Sequence, residues 1–265
     1  MTKVSVIMSV YNGMPLMKEA IQSIQSQTLS DFEFLIVNDC STDETKQELH
    51  KISQNDERIR VIENEKNLGL AASLNKAWQA SKGEFIARMD SDDISELSRL
   101  EEQVGYLEKR EEVVVLGTSA VLIDQKGESF GKSQRREAHH ELVKYIGTEN
   151  PFFHSSVMMR KRFLIETGGY NEQFRRSQDY DLWSRGIAIG EYHNLQKFLL
   201  KYRVANKISW STIRWGAYSK FCHAWRQKKW LCSLWYPVRF MVGSVIVKYQ
   251  LTKSLLYGGT RTLKF

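Results

Sequence analysis

The chain has 265 residues, of which 42% are hydrophobic and 26% are charged, a composition typical of a globular protein and not of a disordered one. The length suffices for one large domain or for one domain with an appendage. The net charge of +7 conceals an asymmetry, because no Asp or Glu follows Glu191 whereas 14 Lys and Arg residues do, so residues 1 to 191 carry +7 minus 14, or −7. We expect the two parts to have different functions.

The N-terminus and the cysteines predict a cytosolic protein. Met1–Lys3 leads directly into a strand-like segment, without the long apolar stretch of a signal peptide. Cys40, Cys222 and Cys232 are odd in number and widely separated, which indicates reduced thiols. A zinc site formed by Cys222, His223 and Cys232 would lack a fourth ligand at a familiar spacing, so we do not expect one.

Strand-like and helix-like segments alternate through the first 95 residues. Strands are predicted at Val4–Val10, Phe32–Val37, Arg60–Ile62 and Phe85–Met89, and a turn and a helical pattern follow each of them. Pro15 suits the first turn of the first helix, and Ser41 with Glu44 has the form of a capping box that begins the second. This order predicts parallel strands with right-handed crossovers, in an α/β sheet covered by helices on both faces.

Tyr11, Asp39 and the segment Asp90–Asp93 each follow the end of a predicted strand. Ligands of open α/β sheets bind beyond the carboxyl ends of the strands, so we expect these residues to share one rim. Asp90–Asp93 places three carboxylates within four residues, and a divalent cation that shares its shell with substrate phosphates would make this arrangement favourable. The alternative is a solvated turn whose acids cap a helix near Ser95.

The second half of the chain shows further elements. A helix is predicted from the spacing of Leu97, Leu100, Val104 and Leu107, one or two strands over Val113–Ile123 with a turn at Asp124–Gly127, a strand over Ser155–Met159, and short helices before Gly168 and after Ser177. Residues 128–150 are polar and receive no assignment.

Six motifs in series resemble those of bacterial family 2 glycosyltransferases. They are Val4–Asn12, Val37–Asp43, Asn67–Gly69, Asp90–Asp93, Gly168–Tyr170 and Gln178–Trp183, which extend over about residues 3 to 205 in the family's order. The resemblance implies a GT-A fold with a mostly parallel central sheet flanked by helices. It also implies inverting transfer of a hexosyl or N-acetylhexosaminyl group from a nucleotide diphosphate, with UDP preferred, to an acceptor hydroxyl, with Mn²⁺ or Mg²⁺ as cofactor.

The resemblance also implies roles for residues at matching positions. Tyr11 and Asp39 are expected to contact the base, Asp90 the ribose and Asp92 the metal, with Asp90 as a second candidate metal ligand. Further nucleotide contacts are expected from Ser9, Asn67, Ser91 and Arg203, the last of them at the phosphates. Asp179 corresponds to the catalytic carboxylate, and the acceptor side is expected to include His154, Gly169, Tyr170 and Gln178.

Two positions depart from the family pattern. Gln178 stands where the commoner motif has Glu, and Ala205 stands where many relatives have the histidine of a Tyr-Arg-x-His motif. The metal shell would therefore rest on Asp92 and water.

Several residues also have a structural interpretation. Asp179 could cap its helix, Asp39 could stabilise an Asx turn, Tyr11 could simply pack, and His154 could be a buried, hydrogen-bonded histidine. Asp181 is expected to be a structural or capping acid rather than the base.

The chain changes character near residue 208. We therefore divide it into a catalytic domain at 1–207, with a nucleotide-binding half at 1–95 and an acceptor half at 96–207, and a helical tail at 208–265. The tail combines basic residues with Trp210, Trp215, Trp225, Trp230 and Trp235. This combination predicts a helix in the interface of an anionic membrane, whereas the apolar segment Trp230–Val247, broken by Pro237 and Arg239, is too short to span one. The alternatives are packing on the catalytic domain and, ranked lower, nucleic-acid binding.

The leading hypothesis is a glycosyltransferase of bacterial surface polysaccharide synthesis, peripheral on the inner face of the cell membrane. Its acceptor would be a saccharide or a lipid-linked saccharide, with no nucleic-acid partner, and oligomer formation stays open. A sugar-nucleotide pyrophosphorylase would need a Gly-rich basic loop that Tyr11–Pro15 does not supply. A non-catalytic membrane- or nucleic-acid-binding protein with a degenerate nucleotide site is the third hypothesis, and the retained acids Asp39, Asp90, Asp92 and Asp179 argue against it.

Overall fold

A computed structural model of the chain describes residues 2–205, 209–228, 234–235, 237–243 and 245. The first part alternates as predicted through β1 (Val4–Val10), α1 (Leu16–Gln25), β2 (Phe32–Asn38), α2 (Thr45–Asn55), β3 (Ile59–Glu63), α3 (Leu70–Gln79) and β4 (Phe85–Arg88). The second part contains β5 (Ile94–Ser95), α4 (Arg99–Leu107), β6 (Val113–Ile123), β7 (Ser129–Ser133), α5 (His139–Tyr145), a 3₁₀ turn (His154–Ser156), β8 (Met158–Arg160), α6 (Lys161–Thr167), α7 (Gln178–Gly186), β9 (Glu191–Arg203) and α8 (Trp210–Arg226).

Nine strands form one sheet in the part of the chain that the structure describes. Their order is β3-β2-β1-β4-β8-β6-β9-β5, and β7 pairs with β6 outside this path. The strands β1 to β4 run parallel to their neighbours within this group, and β6 and β9 are also parallel. The strand β8 joins the two groups through antiparallel pairs with β4 and β6. The carboxyl ends of β1, β2 and β4 therefore meet at one edge, as the sequence predicted.

Helices cover both faces of the sheet, so the central strands are buried on both sides. Along β1, Val4, Val6 and Met8 belong to one hydrophobic cluster, whereas Ile7 belongs to the other. The first cluster includes residues of α1 and α4, and the second includes residues of α3, α6 and α7. This alternation explains the nearly continuous apolar run of β1, because each face of a strand carries every second side chain.

The capping box predicted at Ser41 and Glu44 is wrong. The helix α2 begins at Thr45, and the carboxylate of Asp43 accepts a hydrogen bond from the Thr45 amide at 3.0 Å. The Ser41 hydroxyl instead accepts from the Asn12 amide, also at 3.0 Å. Asn12 has a left-handed backbone with φ of 51°, and this contact ties the loop after β1 to the loop after β2. The motif residue therefore joins two loops of the rim.

Two other elements differ from the sequence predictions, whereas the prediction for Val113–Ile123 and the turn after it is confirmed. Leu97 is 57% exposed and precedes α4, and the segment predicted as a strand from Ser155 begins as a 3₁₀ turn. Val113–Ile123 is a single strand, and Asp124 Oδ1 accepts from the amides of Lys126 and Glu128 to close the predicted turn. The unassigned segment 128–150 contributes β7 and α5.

The helix α8, in the described part of the tail, packs against α7. The inner face of α8 is formed mainly by small or polar residues, namely Ile213, Gly216, Ala217, Ser219, Lys220, His223 and Ala224. His223 Nδ1 lies 2.9 Å from the hydroxyl of Ser184 on α7, and Arg226 forms an ion pair with Asp181 on the same helix. Among the described residues no helix is both long enough and apolar enough to cross a bilayer. The proposed boundary at 207/208 and the residues Lys229, Trp230 and Cys232 lie outside the described residues.

Candidate active site

The rim begins with the loops after β1 and β2. Ser9 is half-buried at the end of β1, and Tyr11 is 50% exposed, so its ring is open to a ligand and does not belong to the core. Asp39 is buried, and its carboxylate accepts hydrogen bonds from the amides of Leu68 and Gly69 at 2.7 and 2.8 Å and from Asn64 Nδ2 at 2.8 Å.

Asp39 thus fixes the loop that precedes α3 and leaves Asn67 exposed at its tip. Gly69 occupies the last loop position with φ of 87°, which favours glycine. The contact of Asp39 with a nucleotide base stays a prediction, and within the protein this residue positions a loop.

The acidic turn follows β4 and is built on buried arginines. Asp90 pairs with the fully buried Arg88, its Oδ2 accepts from the hydroxyl of Ser155 at 3.1 Å, and Ser91 is half-buried beside it. Burial would raise the pKa of Asp90, but the charges of Arg88 and His154 and the hydrogen bonds to the carboxylate hold it below its usual value. Asp90 is therefore a carboxylate with a fixed orientation.

Asp92 is the exposed acid of this turn. Within the described residues its carboxylate accepts no hydrogen bond from another residue. Desolvation raises the pKa of Asp92, and the neighbouring charge of Asp90 raises it further. Two adjacent carboxylates, one held in place and one free, repel each other unless a cation shares them.

Asp93 and Arg203 stabilise the turn from beneath. Asp93 Oδ1 accepts from the Arg203 amide at 2.7 Å, whereas its Oδ2 is buried without a hydrogen bond among the described residues. Burial and the charges of Asp90 and Asp92 raise the pKa of Asp93 well above its usual value. The third carboxyl of the cluster is thus a structural group held out of solvent, and it is the neutral form that burial favours.

The side chain of Arg203 contacts mainly protein groups. It is 2% exposed, Nε and Nη1 donate to the carbonyl oxygens of Asp92 and Asp124 at 2.7 Å each, and Nη2 donates to Glu19 at 3.2 Å. These contacts use three of the five N–H donors of the guanidinium, and the contact with phosphate stays a prediction. Within the protein, Arg203 holds the backbone of Asp92.

The residues present fit a metal ion that is shared with a ligand, not one enclosed by protein. No group of three or more Asp, Glu, His or Cys side chains in the described ranges could hold a metal. Asp92, with Asp90 beside it, would leave most of the coordination shell to water and phosphate oxygens, which is how Mg²⁺ is usually held. Ala205 is exposed and supplies no ligand.

Asp179 lies near the start of α7 but does not cap it. The N-cap is Ser177, with φ of 58°, and Asp179 is the second helical residue. Its Oδ2 accepts from Asn150 Nδ2 at 2.7 Å, and Oδ1 accepts no hydrogen bond from the described residues. Gln178 is buried, so it does not present an additional group at the helix start.

Asp181 has the structural role that the sequence favoured. It is fully buried, and its two oxygens accept from Arg185 Nε at 2.8 Å and from Arg226 Nη2 at 2.6 Å. Because Asp181 is fully buried and paired with two arginines, a substrate hydroxyl cannot reach it. Asp179 is only partly buried and stays the predicted base of this helix.

His154 connects the acidic turn with Asp179. Its Nε2 lies 2.9 Å from the hydroxyl of the buried Tyr170. Burial lowers the pKa of His154 to about 4, aided by the charge of Arg88 and opposed by those of Asp179 and Asp90. The two carboxylates are far apart in the sequence, yet they bond to Ser155 and Asn150, which lie on the same short segment as His154.

The two-glycine turn positions Tyr170. Gly168 and Gly169 have φ of 73° and 74°, and a Cβ at Gly169 would lie 2.7 Å from both Asn75 Oδ1 and Trp78 Nε1. Gly169 therefore permits close approach of the chain to α3, and the Tyr170 amide donates to Asn75 Oδ1 at 2.9 Å. Gly169 acts through the backbone, as its sequence context indicated.

Four residues that hold the predicted site side chains or their neighbours in place were not singled out by the sequence. Arg88 and Ser155 orient Asp90, Asn150 orients Asp179, and Arg99 donates to the carbonyl oxygen of Ser155 at 2.5 Å. An arginine inside the apolar run before the acidic turn was the available signal for Arg88. Nothing in the local pattern marks the other three, because their partners are distant in sequence.

The outer face of α8 lies away from this cluster and is aromatic. Trp210, Tyr218 and Trp225 are 57%, 50% and 51% exposed. Phe174, from the loop before α7, lies with its ring 5.7 Å from that of Trp215 and 5.5 Å from that of Tyr218. A groove of about 490 Å³ at this place is also lined by Gln173, Ser211 and Arg214. Large aromatic side chains therefore face solvent here while small ones face the protein.

Comparisons with known proteins agree with this geometry. Residues 5–169 match the family described as glycosyl transferase family 2. An uncharacterized glycosyltransferase of Methanocaldococcus jannaschii is 36% identical over 253 residues, which cover 92% of this chain and 87% of that protein. The O-antigen biosynthesis glycosyltransferase WbnJ of Escherichia coli is 36% identical over 213 residues, 77% of this chain and 80% of that protein.

A solved structure also resembles the fold. The crystal structure of S. aureus TarS 1-349 in complex with UDP superimposes with a TM-score of 0.67 at 22% identity, covering 83% of this chain and 65% of that one. The chain thus spans about two thirds of the TarS fragment. This likeness confirms the predicted GT-A fold with its mostly parallel sheet and flanking helices.

Proposed function

The chain belongs to glycosyl transferase family 2, and on that basis we propose that it moves a hexosyl or N-acetylhexosaminyl group from a nucleoside diphosphate to a saccharide hydroxyl with inversion. UDP is the proposed nucleotide, since the TarS structure of similar fold contains it. The saccharide acceptor is supported by the O-antigen relative. A pyrophosphorylase or a non-catalytic binding protein has no comparable support.

One observation carries this proposal: the short segment 150–155 bonds both acids, since Asn150 Nδ2 donates to Asp179 Oδ2 at 2.7 Å and the Ser155 hydroxyl donates to Asp90 Oδ2 at 3.1 Å. The acidic turn lies at the rim where ligands of parallel sheets bind, and Asp179 comes from a separate helix in the second half of the chain. A donor bound at the turn would therefore present its sugar toward Asp179. Transfer requires the acidic turn and Asp179 to be neighbours, because the diphosphate leaves the anomeric carbon that the accepting hydroxyl attacks.

We propose that Asp179 is the general base. Asn150 Nδ2 donates to Asp179 Oδ2 at 2.7 Å, and this bond fixes the orientation of the carboxylate. Oδ1 is available to accept the proton of the acceptor hydroxyl as its oxygen attacks the anomeric carbon from the face opposite the diphosphate. One base suffices for a single inverting displacement, unlike glycoside hydrolysis, which uses two carboxylates.

We propose that Asp92 holds a divalent metal ion, with Asp90 as its second protein ligand. When bound there, Mn²⁺ or Mg²⁺ would supply positive charge at the diphosphate oxygens, where negative charge develops as the sugar departs. The protein prepares this position by fixing the turn through Arg88, Ser155 and Arg203. The exposed carboxylate of Asp92 then needs no rearrangement to accept a ligand-bound ion.

We also propose that the outer face of α8 lies on the cytoplasmic surface of an anionic membrane and that the acceptor is lipid-linked. Trp210, Tyr218 and Trp225 would enter the interface, while the exposed Arg214 and Lys228 would meet lipid phosphates. The helix contains no acid. Because α8 also packs on α7, such a surface would hold the helix that carries Asp179 near lipid-linked substrates.

The experiment that tests the transfer is a donor screen by nucleotide release, with UDP-, GDP- and dTDP-sugars, Mn²⁺ and a saccharide acceptor. The native chain should release UDP, and Asp179→Asn should bind the same donor yet release at least ~100-fold less, as expected when a general base is lost. The matched control is Asn171→Asp, which replaces an amide by a carboxylate in the loop before α7. Undiminished release by Asp179→Asn would rule out its role as the base.

A further inference from the structure

Arg135 lies between β7 and α5, in the polar segment that the sequence left unassigned. Its guanidinium carbon lies 4.3 Å from the centre of the Phe153 ring, and that ring lies 5.2 Å from the ring of Tyr202. Tyr202 belongs to the end of β9, next to the Arg203 that holds the acidic turn. The stack of Arg135, Phe153 and Tyr202 therefore extends from the second half of the chain to the rim.

The other arginines around this cluster are buried, and each of them bonds at least one protein group, although Arg88 and Arg99 also keep buried nitrogens without a partner among the described residues. Arg88 pairs with Asp90, Arg99 donates to the carbonyl oxygen of Ser155, and Arg203 donates to two carbonyls and Glu19. These side chains are 0%, 0% and 2% exposed, so they act inside the protein. None of them can turn to a ligand without leaving buried groups unpaired, which is costly.

Arg135 differs from these three arginines because its side chain is only partly buried. Its Nε, like those of Arg88 and Arg99, is buried and has no hydrogen-bond partner among the described residues. Within the same ranges no carboxylate oxygen forms an ion pair with its guanidinium. Burial lowers the pKa of Arg135, and the charges of Tyr202, Glu149 and Asp179 oppose this effect. A partly desolvated cation with an unpaired Nε donor thus lies against Phe153 and lines the same cavity as Asn150, the residue that bonds to Asp179.

We propose that Arg135 binds the outer phosphate of the nucleoside diphosphate donor, the phosphate that carries the sugar. This inference rests on the proposed function and names one more residue of the same site. A phosphate oxygen would satisfy the Nε donor, and the planar guanidinium can bind phosphate through two parallel hydrogen bonds. The position also accounts for Ala205, because the chain then has a cation at the diphosphate without a histidine at the end of β9.

The aromatic stack makes this placement specific. Phe153 supports the face of the guanidinium, so that its edge is left for hydrogen bonds. Lysine at the same position would keep the charge but lose the planar fork.

The test compares two nucleotides that differ by the outer phosphate. Isothermal titration with Mn²⁺ present should show that Arg135→Ala weakens binding of UDP by ~10-fold, the expected loss for a charged hydrogen bond, but leaves binding of UMP close to native. Arg135→Lys should recover part of the difference. The adjacent Arg136 is the matched control, since it pairs with Glu149 at 3.1 Å and lies over the Tyr145 ring, and Arg136→Ala should keep the native ratio of UDP to UMP affinity.

The ratio of the two affinities within one variant separates phosphate binding from damage to the fold. If Arg135→Ala keeps the native ratio of UDP to UMP affinity, the assignment of Arg135 is wrong and the proposed function is unaffected. If the native chain binds none of UDP, GDP and dTDP, the proposed function fails and the assignment of Arg135 fails with it. If it binds GDP or dTDP better, the same comparison is made with that diphosphate and its monophosphate.

Discussion

Arg226 Nη2 donates to Asp181 Oδ1 at 2.6 Å, and this ion pair fastens the last turn of α8 to a residue two positions beyond Asp179. Asp181 is fully buried and also accepts from Arg185, so the pair belongs to a closed network. The helix α8 is therefore a support of the helix that carries the candidate base. Removing the whole tail would disturb this support, so single substitutions are the better test of what each face of α8 does.

The first prediction concerns this support. Arg226→Ala should lower the free energy of unfolding by about 2 kcal/mol, because a buried carboxylate loses one of its two charged hydrogen bonds. Arg214→Ala is the control on the same helix, since Arg214 is exposed and makes no ion pair with a described residue, and its effect should stay within about 0.5 kcal/mol. Urea unfolding measures both. Equal stability of the two variants would contradict the inferred role of the Asp181 pair.

The second prediction concerns Asp92. UDP with Mn²⁺ should raise the melting temperature of the native chain by on the order of 5 °C at about 100 times the dissociation constant. Asp92→Ala should lose most of this shift, because the exposed carboxylate is the proposed metal ligand. Asp31→Ala, which removes an exposed acid in the loop before β2, should keep the shift. A full shift in Asp92→Ala would show that the ion, if it binds, is held elsewhere.

The third prediction concerns His154 and acid. Its folded pKa of about 4 lies below the ordinary value of 6.5, so between these values the unfolded chain binds more protons than the folded one. Stability should therefore fall as the pH decreases from 6.5 to 4, by up to about 3 kcal/mol from this group. His154→Gln can keep the bond to Tyr170 but cannot titrate, so its stability should fall less across this window.

The matched control for this pH effect is His140→Gln, at an exposed histidine of α5. Urea unfolding at pH 4.5, 5.5 and 6.5 measures all three proteins. We expect the stability difference between native and His154→Gln to change with pH, and to change more than the difference between native and His140→Gln. If the stability of all three proteins changes with pH in the same way, the imidazole of His154 is not held neutral in the folded state.

The rim could be predicted from the sequence because its position depends on local sequence patterns. Alternating apolar periods fixed the order of strands and helices, and parallel strands bring their carboxyl ends together whatever the loops contain. Tyr11, Asp39 and Asp90 were therefore placed correctly at one edge before any coordinates. The second helix illustrates where local logic fails, because Ser41 had the correct spacing for a cap yet bonds to Asn12 across the rim.

The partners of the charged groups could not be predicted from spacing. Arg203 was expected at phosphate, but its guanidinium is buried among carbonyl oxygens of residues 79 and 111 positions away. Such contacts depend on the packing of β9 beside the acidic turn, which no short motif encodes. The same holds for α8, where the predicted aromatic face exists but the opposite face is buried against α7.

The fourth prediction concerns that aromatic face. The native chain should sediment with vesicles of phosphatidylglycerol and much less with phosphatidylcholine, and added salt should weaken the binding because lipid and protein charges attract each other. Replacing both Trp210 and Trp225 by Ser should weaken binding by roughly 10-fold or more, since each exposed ring contributes apolar area to the interface. The control is the pair Leu97→Ser and Phe130→Ser, which removes side chains that are 57% and 54% exposed on other elements. Native-like vesicle binding by the Trp210 and Trp225 variant would reject α8 as the membrane surface, and so would an equal loss of binding in the control. A loss of binding confined to the Trp210 and Trp225 variant would place the lipid next to the helix that supports Asp179.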